Sequence, residues 1–447
     1  MENKSDMNTI DKLTGIKNIF RSLRYGNYRL FFGGQSISLV GTWIQRIALP
    51  WLVYKLSGSA FLLGAVGFAS QIPTFLLAPF AGMFTDRWNR KHILIITQIL
   101  AMFQALVLAV LYFAGGIRIW NIMVLGILLG CINAFDMTAR QAFVVDMIEK
   151  KEDMGNAIAL NSLMVNGARL IGPSMAGVLI ATTGEGVCFL LNGLSYLFVI
   201  VSLLLMKISA EGAKGHGADI LQELKEGFSY AFGFPPIRSV ILLLGLVSLV
   251  GMLYAVLMPV FAGDILGGGP HTFGFLMGAS GIGALAGALY MASRKDILGF
   301  GKIIPLSAAV FGFGLIAFSL SRIFLVSMAL MLITGFGMLI QMTSSNTILQ
   351  TIVDDDKRGR VMSFYTMAFM GTAPFGSLMA GGLASSIGAP GTLMIGGVLC
   401  ILSAVVFASR LGRLKEMVRP IYVRLGIIPE VAAGIRTATE LTVPPEE

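Results

Sequence analysis

Charge is scarce in this sequence of 447 residues. Lys, Arg, Asp and Glu make up 13% of the chain and apolar residues 55%, against roughly 25% charged residues in an ordinary soluble domain. This imbalance predicts an integral membrane protein. Proline is too frequent and the apolar runs are too long for a transmembrane β-barrel, whose strands alternate over about ten residues. The remaining spanning structure is the α-helix, because lipid cannot hydrogen-bond exposed backbone groups.

Cysteine and histidine are also rare. The cysteines Cys131, Cys188 and Cys400 are far apart and form no Cys-x-x-Cys pair, so we expect free thiols. The histidines fall in loops or at helix ends, and no Cys or carboxylate cluster has metal or catalytic-triad spacing. We therefore predict no metal site, no cofactor, no catalytic residue and no enzyme activity.

Long apolar runs fill most of the chain. Each is long enough to cross a bilayer as a helix, which takes roughly 20 apolar residues. The twelve runs cover about 28–53, 60–84, 92–113, 120–147, 157–182, 187–206, 238–263, 272–293, 303–320, 324–349, 361–386 and 391–409. The fold class that they predict is all-α integral membrane, with twelve transmembrane helices in two six-helix bundles. The predicted divisions are an N-terminal segment 1–27, a bundle 28–208, a linker 209–237, a second bundle 238–410 and a tail 411–447.

Lys and Arg are distributed unevenly between the connecting loops. With both termini inside, the outer loops hold only Lys55, Arg118 and Arg322. An excess of Lys and Arg marks cytoplasmic loops, so we expect both termini to be cytoplasmic and the chain to lie in the inner membrane. The net charge of +9 then indicates topology and contact with anionic lipid, and no nucleic-acid partner is needed.

The two halves of the chain repeat each other. Ser38-Leu-Val-Gly41 recurs 210 positions later as Ser248-Leu-Val-Gly251. Gly172-Pro-Ser-Met-Ala-Gly177 recurs 204 positions later as Gly376-Ser-Leu-Met-Ala-Gly381. Parallel repeats of this kind predict a substrate site between the bundles, near the bilayer midplane.

A group of charges separates the second and third apolar runs, in the segment Gly82-Met-Phe-Thr-Asp86-Arg87-Trp-Asn-Arg90-Lys91. Gly82 permits close helix approach, Asp86 offers a carboxylate, and the cations favour the anionic cytoplasmic surface. The spacing resembles the signature loop of the major facilitator superfamily, a family of transporters in which this loop latches the two halves together. The alternative is a positive-inside anchor alone.

The resemblance implies a partner for this loop. We expect the carboxylate of Asp86 to meet the start of helix 11, near Gly359 and Arg360, when the transporter is open to the outside. The N–H groups at a helix N-terminus favour such a carboxylate.

A second motif lies on the fifth predicted helix. Gly172, Pro173 and Gly177 resemble the antiporter motif of drug and proton exchangers in the same superfamily, although Ala168 and Ala176 replace glycines of the fuller motif. Plain packing is the alternative role, because small residues let helices cross closely. Together with the segments 45–51 and 133–143, these motifs resemble the bacterial exporter branch that includes the enterobactin exporter and macrolide efflux proteins.

One acidic residue, Asp136, falls well inside a predicted membrane segment. Arg140 is four positions later and therefore on the same helix face. We predict that the two residues couple transport to protons, with a permanent structural ion pair as the alternative.

Other polar and adaptable residues stand where the superfamily fold places a central cavity. For Arg46 the alternative is a side chain that reaches the outer headgroups, and for the second-half residues it is core packing. The predicted cavity residues are Gln35, Gln45, Arg46, Asn133, Arg169, Tyr254, Met258, Gln341 and Tyr365.

The function implied by the resemblance is export of a small, partly hydrophobic solute, drug-like or a siderophore, by proton antiport with alternating access. A nutrient symporter or facilitator of the same fold and a non-transporting membrane sensor remain alternatives. The expected partners are the solute, protons and membrane lipid. A monomer is sufficient, and partners in the cell envelope are left open.

Overall fold

Two bundles of long helices make up the chain. The computed structural model describes residues 20–148, 150–207, 220–294 and 297–428. The first bundle follows a short 3-10 helix, Arg21–Arg24, and consists of α1 Gly26–Ser57, α2 Ala60–Arg87, α3 Arg90–Phe113, α4 Ile119–Asp146, α5 Met154–Thr183 and α6 Glu185–Leu205. The later helices are α7 Ile220–Gly233, α8 Pro235–Val260, α9 Pro270–Ser293, α10 Phe300–Leu320, α11 Phe324–Ile352, α12 Asp355–Met370, α13 Ala373–Ser409 and α14 Leu411–Arg424.

The number of membrane crossings agrees with the prediction. By length and composition, ten helical spans in the described residues can cross a membrane. The last of these spans, Lys357–Ser409, covers two of the predicted crossings. They are separated at Gly388, where the helix α13 is interrupted by a φ of 75° that L side chains rarely adopt. Helix α1 is not among the ten, because polar residues such as Gln35, Gln45 and Arg46 lower its mean hydropathy. It nevertheless runs through the first bundle and packs beside α5 and α6. The all-α prediction with twelve crossings is therefore confirmed.

Apolar side chains cover the outside of the bundles. Val110 on α3 is 65% exposed and Leu325 on α11 is 74% exposed. In water such a surface would be costly, whereas in a bilayer it faces lipid tails of the same polarity.

The internal repeat appears in the packing of each bundle. In the first bundle, a Cβ added to Gly130 on α4 would lie 2.5 Å from the backbone oxygen of Ser70 on α2. In the second, a Cβ on Gly335 of α11 would lie 2.0 Å from the backbone oxygen of Ser280 on α9. Ser280 follows Ser70 by 210 positions and Gly335 follows Gly130 by 205. The same close helix crossing is thus built twice.

The bundles meet mainly through two helix pairs, α2 with α13 and α5 with α9. We call the end of the molecule where α1 turns into α2 the hairpin end, and the opposite end, which carries Arg21–Arg24 and α14, the terminal end. Contacts between the bundles begin at the hairpin end, where Gly64 meets Gly381. Toward the terminal end, a Cβ on Gly82 of α2 or on Gly359 of α12 would meet no atom within 4 Å.

Two helices fall outside the twelve crossings. Helix α7 lies in the predicted linker, and α14 lies in the predicted tail with Leu414 and Val418 buried. Residues 1–19 of the predicted N-terminal segment, 208–219 of the linker region and 429–447 of the tail lie outside the described residues. The exact division points stay predictions.

Candidate functional site

The carboxylate of Asp136 is buried and accepts hydrogen bonds from three side chains. Its Oδ1 accepts from Nε2 of Gln98 at 2.7 Å and from the hydroxyl of Thr97 at 3.1 Å, both on α3. Its Oδ2 accepts from the guanidinium of Arg140, one turn along α4. The side chain of Arg140 keeps 23% of its surface exposed. The predicted pair is therefore formed, and it has one buried member and one partly accessible member.

Gln45 lies inside the first bundle. Its Nε2 donates to Oε1 of Gln104 on α3 at 3.2 Å, and its Oε1 accepts from Nδ2 of Asn192 on α6 at 2.8 Å. The nitrogen and the oxygen of the Gln45 side-chain amide thus both have hydrogen-bond partners in the protein. Gln35, also on α1, is buried with no described hydrogen-bond partner for its Oε1, and Asn133 on α4 is half-buried.

Arg46 and Arg169 come together on one aromatic ring. The guanidinium carbon of Arg46 lies 5.0 Å from the ring centroid of Trp43, and that of Arg169 lies 5.9 Å from the same centroid. Trp43 precedes Arg46 by one helical turn on α1, so the side chain of Arg46 points back toward the terminal end and away from the hairpin end. The sequence reasoning missed Trp43, although an aromatic residue three positions before Arg46 was the available signal.

The predicted antiporter motif on α5 packs on both bundles. A Cβ on Gly172 would lie 2.4 Å from the Cβ of Trp43, so this glycine makes room for the indole. The backbone oxygen of Pro173 and the Cα of Gly177 instead face Gly274 on α9. One stretch of helix therefore packs on Trp43, the ring shared by Arg46 and Arg169, and also forms the crossing between the bundles.

Cations of the signature loop tie the first bundle together. Nη1 of Arg90 donates to both carboxylate oxygens of Asp146 at the end of α4, at 2.9 and 3.0 Å. The Nζ of Lys91 donates to the backbone oxygen of Met206 at 2.7 Å, at the C-terminal end of α6, where a cation is favoured by the helix dipole. Asn89 caps α3 by accepting from the backbone N–H groups of Lys91 and His92.

The predicted latch between the halves would join Asp86 of the signature loop to the start of α12. The side chain of Asp86 lies outside the part of the chain that the structure describes. Arg87 is exposed, and Nη1 of Arg360 donates to Glu226 on α7 at 2.7 Å. The contact of Asp86 with the start of α12, near Gly359, stays a prediction.

The predicted residues of the second half lie within the packing of the second bundle. The hydroxyls of Tyr254 and Tyr365 have partners in Ser280, at 3.3 Å, and in the backbone oxygen of Met342, at 3.2 Å. Met258 is fully buried. Gln341 is also buried, and its Nε2 donates to Ser345 at 3.2 Å. In this conformation these side chains contact their own bundle.

A cavity of about 440 Å³ separates the bundles toward the terminal end. Hydroxyl and amide groups line it from both sides: Ser162 and Asn166 of α5 face Thr343 and Thr347 of α11. Ser162, Asn166 and Arg169 are spaced by four and three positions, so the first two lie on the same face of α5 as Arg169. The threonines were missed, although their spacing of four positions places them on one helix face.

The sequence matches the family model described as transmembrane secretion effector over residues 18–420. It is 27% identical to a staphyloferrin A transporter of Staphylococcus aureus, over 87% of this chain and 97% of that protein. It is also 27% identical to the multidrug efflux pump Tap of Mycolicibacterium fortuitum, over 84% and 93% of the two chains.

The fold is similar to that of a bacterial homologue of the human lysosomal transporter Spinster, solved in an inward-facing and unoccupied conformation. The TM-score is 0.64 at 14% identity, over 90% of this chain and 98% of that one. Because the family match covers most of the sequence, the resemblance read from the motifs is confirmed. The chain belongs to the transmembrane secretion effector family, a family of major facilitator superfamily transporters.

Proposed function

We propose that this transporter exports a small, partly hydrophobic solute from the bacterial cytoplasm in exchange for protons. As a member of a transporter family, the chain acts on a small-molecule substrate and is not an enzyme. Export is supported by the name of one relative, a multidrug efflux pump, and the staphyloferrin A transporter supports a siderophore as the solute. The class of solute that we propose is therefore drug-like or a siderophore.

Alternating access is supported by where the bundles meet. Their helices cross closely at the hairpin end, while the cavity between α5, α9 and α11 lies toward the terminal end. The hairpin end carries few basic residues. One of them, Lys55, forms an ion pair there, with its Nζ 3.1 Å from the buried carboxylate of Glu185. The positive-inside rule then favours a cytoplasmic terminal end. In this orientation the described conformation is open to the cytoplasm.

The observation that supports proton coupling is the ion pair between Asp136 and Arg140. A carboxylate inside a membrane segment is costly and marks a functional position by default. Protonation of Asp136 would remove its attraction for Arg140 and free a partly exposed guanidinium to change partners. We propose that Asp136 takes a proton when the site faces outward and releases it when the site faces the cytoplasm.

Proton flux in proteoliposomes tests this proposal. We would compare wild-type protein with Asp136→Asn across a panel of amphipathic compounds and siderophores, with Asp264→Asn as the control because Asp264 is an exposed acid near the hairpin end. We expect solute-dependent proton movement in the wild type and the control, and its loss in Asp136→Asn.

Other outcomes separate the alternatives. Solute flux with unchanged proton movement in Asp136→Asn would make the Asp136–Arg140 pair structural. Solute flux without any proton movement would indicate a facilitator, and binding without flux would indicate a sensor.

A further inference from the structure

Two positive charges share one indole in the membrane-spanning part of the first bundle. Arg46 and Arg169 lie on different helices, yet both guanidinium groups are within 6.0 Å of the Trp43 ring centroid. The face of an indole attracts cations, but one ring does not neutralise two charges.

No carboxylate compensates these charges within the described residues. Neither arginine forms an ion pair there, whereas Arg140 is paired with Asp136. The carboxylate of Asp136 in turn is occupied by Arg140, Gln98 and Thr97. Charged groups in a membrane bundle are almost always paired or face a water-filled path. The cluster of Arg46, Trp43 and Arg169 therefore carries two positive charges that no described carboxylate of this chain neutralises.

The cluster does not face lipid. Arg46 is nine residues from Ile37, and at about 100° per residue this puts it on the opposite face of α1 from that exposed apolar side chain. The backbone of Arg169 packs within 3.3 Å of a Cβ built on Gly281 of α9, in the second bundle. The cluster therefore lies where α1, α5 and α9 come together.

The hairpin end above the cluster is closed. Trp51, on α1 beyond Arg46, stacks on Phe273 of α9 with 6.3 Å between ring centroids. Arg46 itself is exposed, and its side chain points toward the terminal end. A solute that enters between the bundles from the terminal end would reach this cluster before it met the closed hairpin end.

We propose that Arg46, Trp43 and Arg169 form a subsite that binds a carboxylate or other oxyanion group of the transported solute. This inference rests on the proposed function and narrows its solute to an amphipathic anion. Guanidinium groups bind carboxylates and phosphates through planar, charge-assisted hydrogen bonds. The indole contributes an aromatic surface for the apolar part of the same solute.

Binding of a matched pair of probes tests the subsite. Naphthoate and its uncharged amide, naphthamide, share a flat apolar body and differ in the charge of one group. We would titrate both by calorimetry into the full-length protein in nanodiscs of zwitterionic lipid. The variants are Arg46→Gln and Arg169→Gln, with Arg46→Lys and Arg169→Lys to retain the charge. Arg118→Gln is the control, because Arg118 is exposed in a loop at the hairpin end.

We expect wild-type protein and Arg118→Gln to bind naphthoate more tightly than naphthamide. Either Gln variant should weaken naphthoate binding by about 10- to 100-fold, as expected for a lost hydrogen bond to a charged group. The Lys variants should recover part of the lost affinity for naphthoate. A variant that had failed to fold would recover none of it.

Three results would overturn the subsite: no naphthoate binding to wild type, equal binding of the acid and the amide, or unchanged naphthoate binding in both Gln variants. The proposed function fails separately, if wild-type protein in liposomes moves no compound of the panel. Flux of uncharged compounds by wild type without naphthoate binding would remove the anion subsite and leave transport intact.

Discussion

Gly177 on α5 and Gly274 on α9 cross with their backbones in contact. A Cβ built on Gly274 would lie 2.8 Å from the Cα of Gly177, closer than real Cβ atoms approach. Gly64 on α2 and Gly381 on α13 form the equivalent crossing, with 2.8 Å between a Cβ on Gly64 and the Cα of Gly381. Gly274 follows Gly64 by 210 positions and Gly381 follows Gly177 by 204, the displacements of the internal repeat. The hairpin end is therefore closed by two equivalent glycine crossings, which the internal repeat of the sequence produces.

The crossing of Gly177 and Gly274 predicts that a larger residue at Gly177 will move the two bundles apart. Gly177→Leu should separate the bundles at the hairpin end, because overpacking at such a contact costs about 1–3 kcal/mol. Gly167→Leu on the same helix is the control, since a Cβ there meets no atom within 4 Å. Spin labels on the exposed positions Thr182 and Ser386, in protein whose native cysteines are serine, measure the separation. A distance that stays the same in Gly177→Leu, or grows equally in Gly167→Leu, would contradict the prediction.

Substitution of Gly172 should disturb the cluster of Arg46, Trp43 and Arg169 selectively. In Gly172→Ala the new methyl group would lie 2.4 Å from the Cβ of Trp43, so the indole must move relative to Arg46 and Arg169. We expect weaker naphthoate binding, by at least about tenfold if one hydrogen bond to a charged group is lost. Gly155→Ala on α5 is the control, because its Cβ meets no neighbouring atom. Equal affinities in both variants would show that the cluster does not depend on this packing.

Sequence periodicity predicted which helices exist but not where every polar side chain points. Gln45 and Arg46 are consecutive residues of α1, and both were predicted to line the cavity. In the structure, Gln45 bonds with Gln104 and Asn192, which are 59 and 147 positions away in sequence. A helical period gives the angle between two side chains, whereas the partner depends on which helix packs on each face. No local pattern contains that information.

The second bundle shows the same limit for aromatic residues. Tyr254 and Tyr365 were predicted at the cavity because they suit an apolar solute. Each hydroxyl instead has a partner within its own bundle. A tyrosine with an apolar body and one polar atom suits a core or a cavity equally well. The motifs with charge and glycine were more informative, since their backbone and charge requirements are narrower.

The signature loop predicts a measurable contribution to stability. The side chains of Arg90 and Asp146 are only 13% and 22% exposed, and two hydrogen bonds join them. Arg90→Gln should lower the free energy of unfolding by about 1–3 kcal/mol, because a partly buried carboxylate loses a charged donor. Arg87→Gln is the control, since Arg87 is exposed in the same loop. Thermal unfolding in detergent compares them, and equal midpoints for the two variants would refute a structural role for the pair.

Asp153 joins the N-terminal 3-10 helix to the connection between α4 and α5. Its buried carboxylate accepts a hydrogen bond from the hydroxyl of Tyr25 at 2.6 Å and forms ion pairs with Arg21 and Arg24. The hydrogen bond from Tyr25, followed by the two positive charges, holds the pKa of Asp153 below its usual value, although desolvation opposes this. The ionised form is thus favoured in the folded protein.

The lowered pKa of Asp153 sets the sign of a pH effect. A carboxyl group whose folded pKa is depressed contributes stability that is present above its unfolded pKa, about 4, and that is lost as pH falls through the folded pKa. Wild-type protein should therefore unfold at a higher temperature than Asp153→Asn at pH 7 and at about pH 5. The difference should shrink only below about pH 4. Thermal midpoints of both proteins across this range measure it, and a difference that disappears between pH 7 and about pH 5 would place the titration on another group.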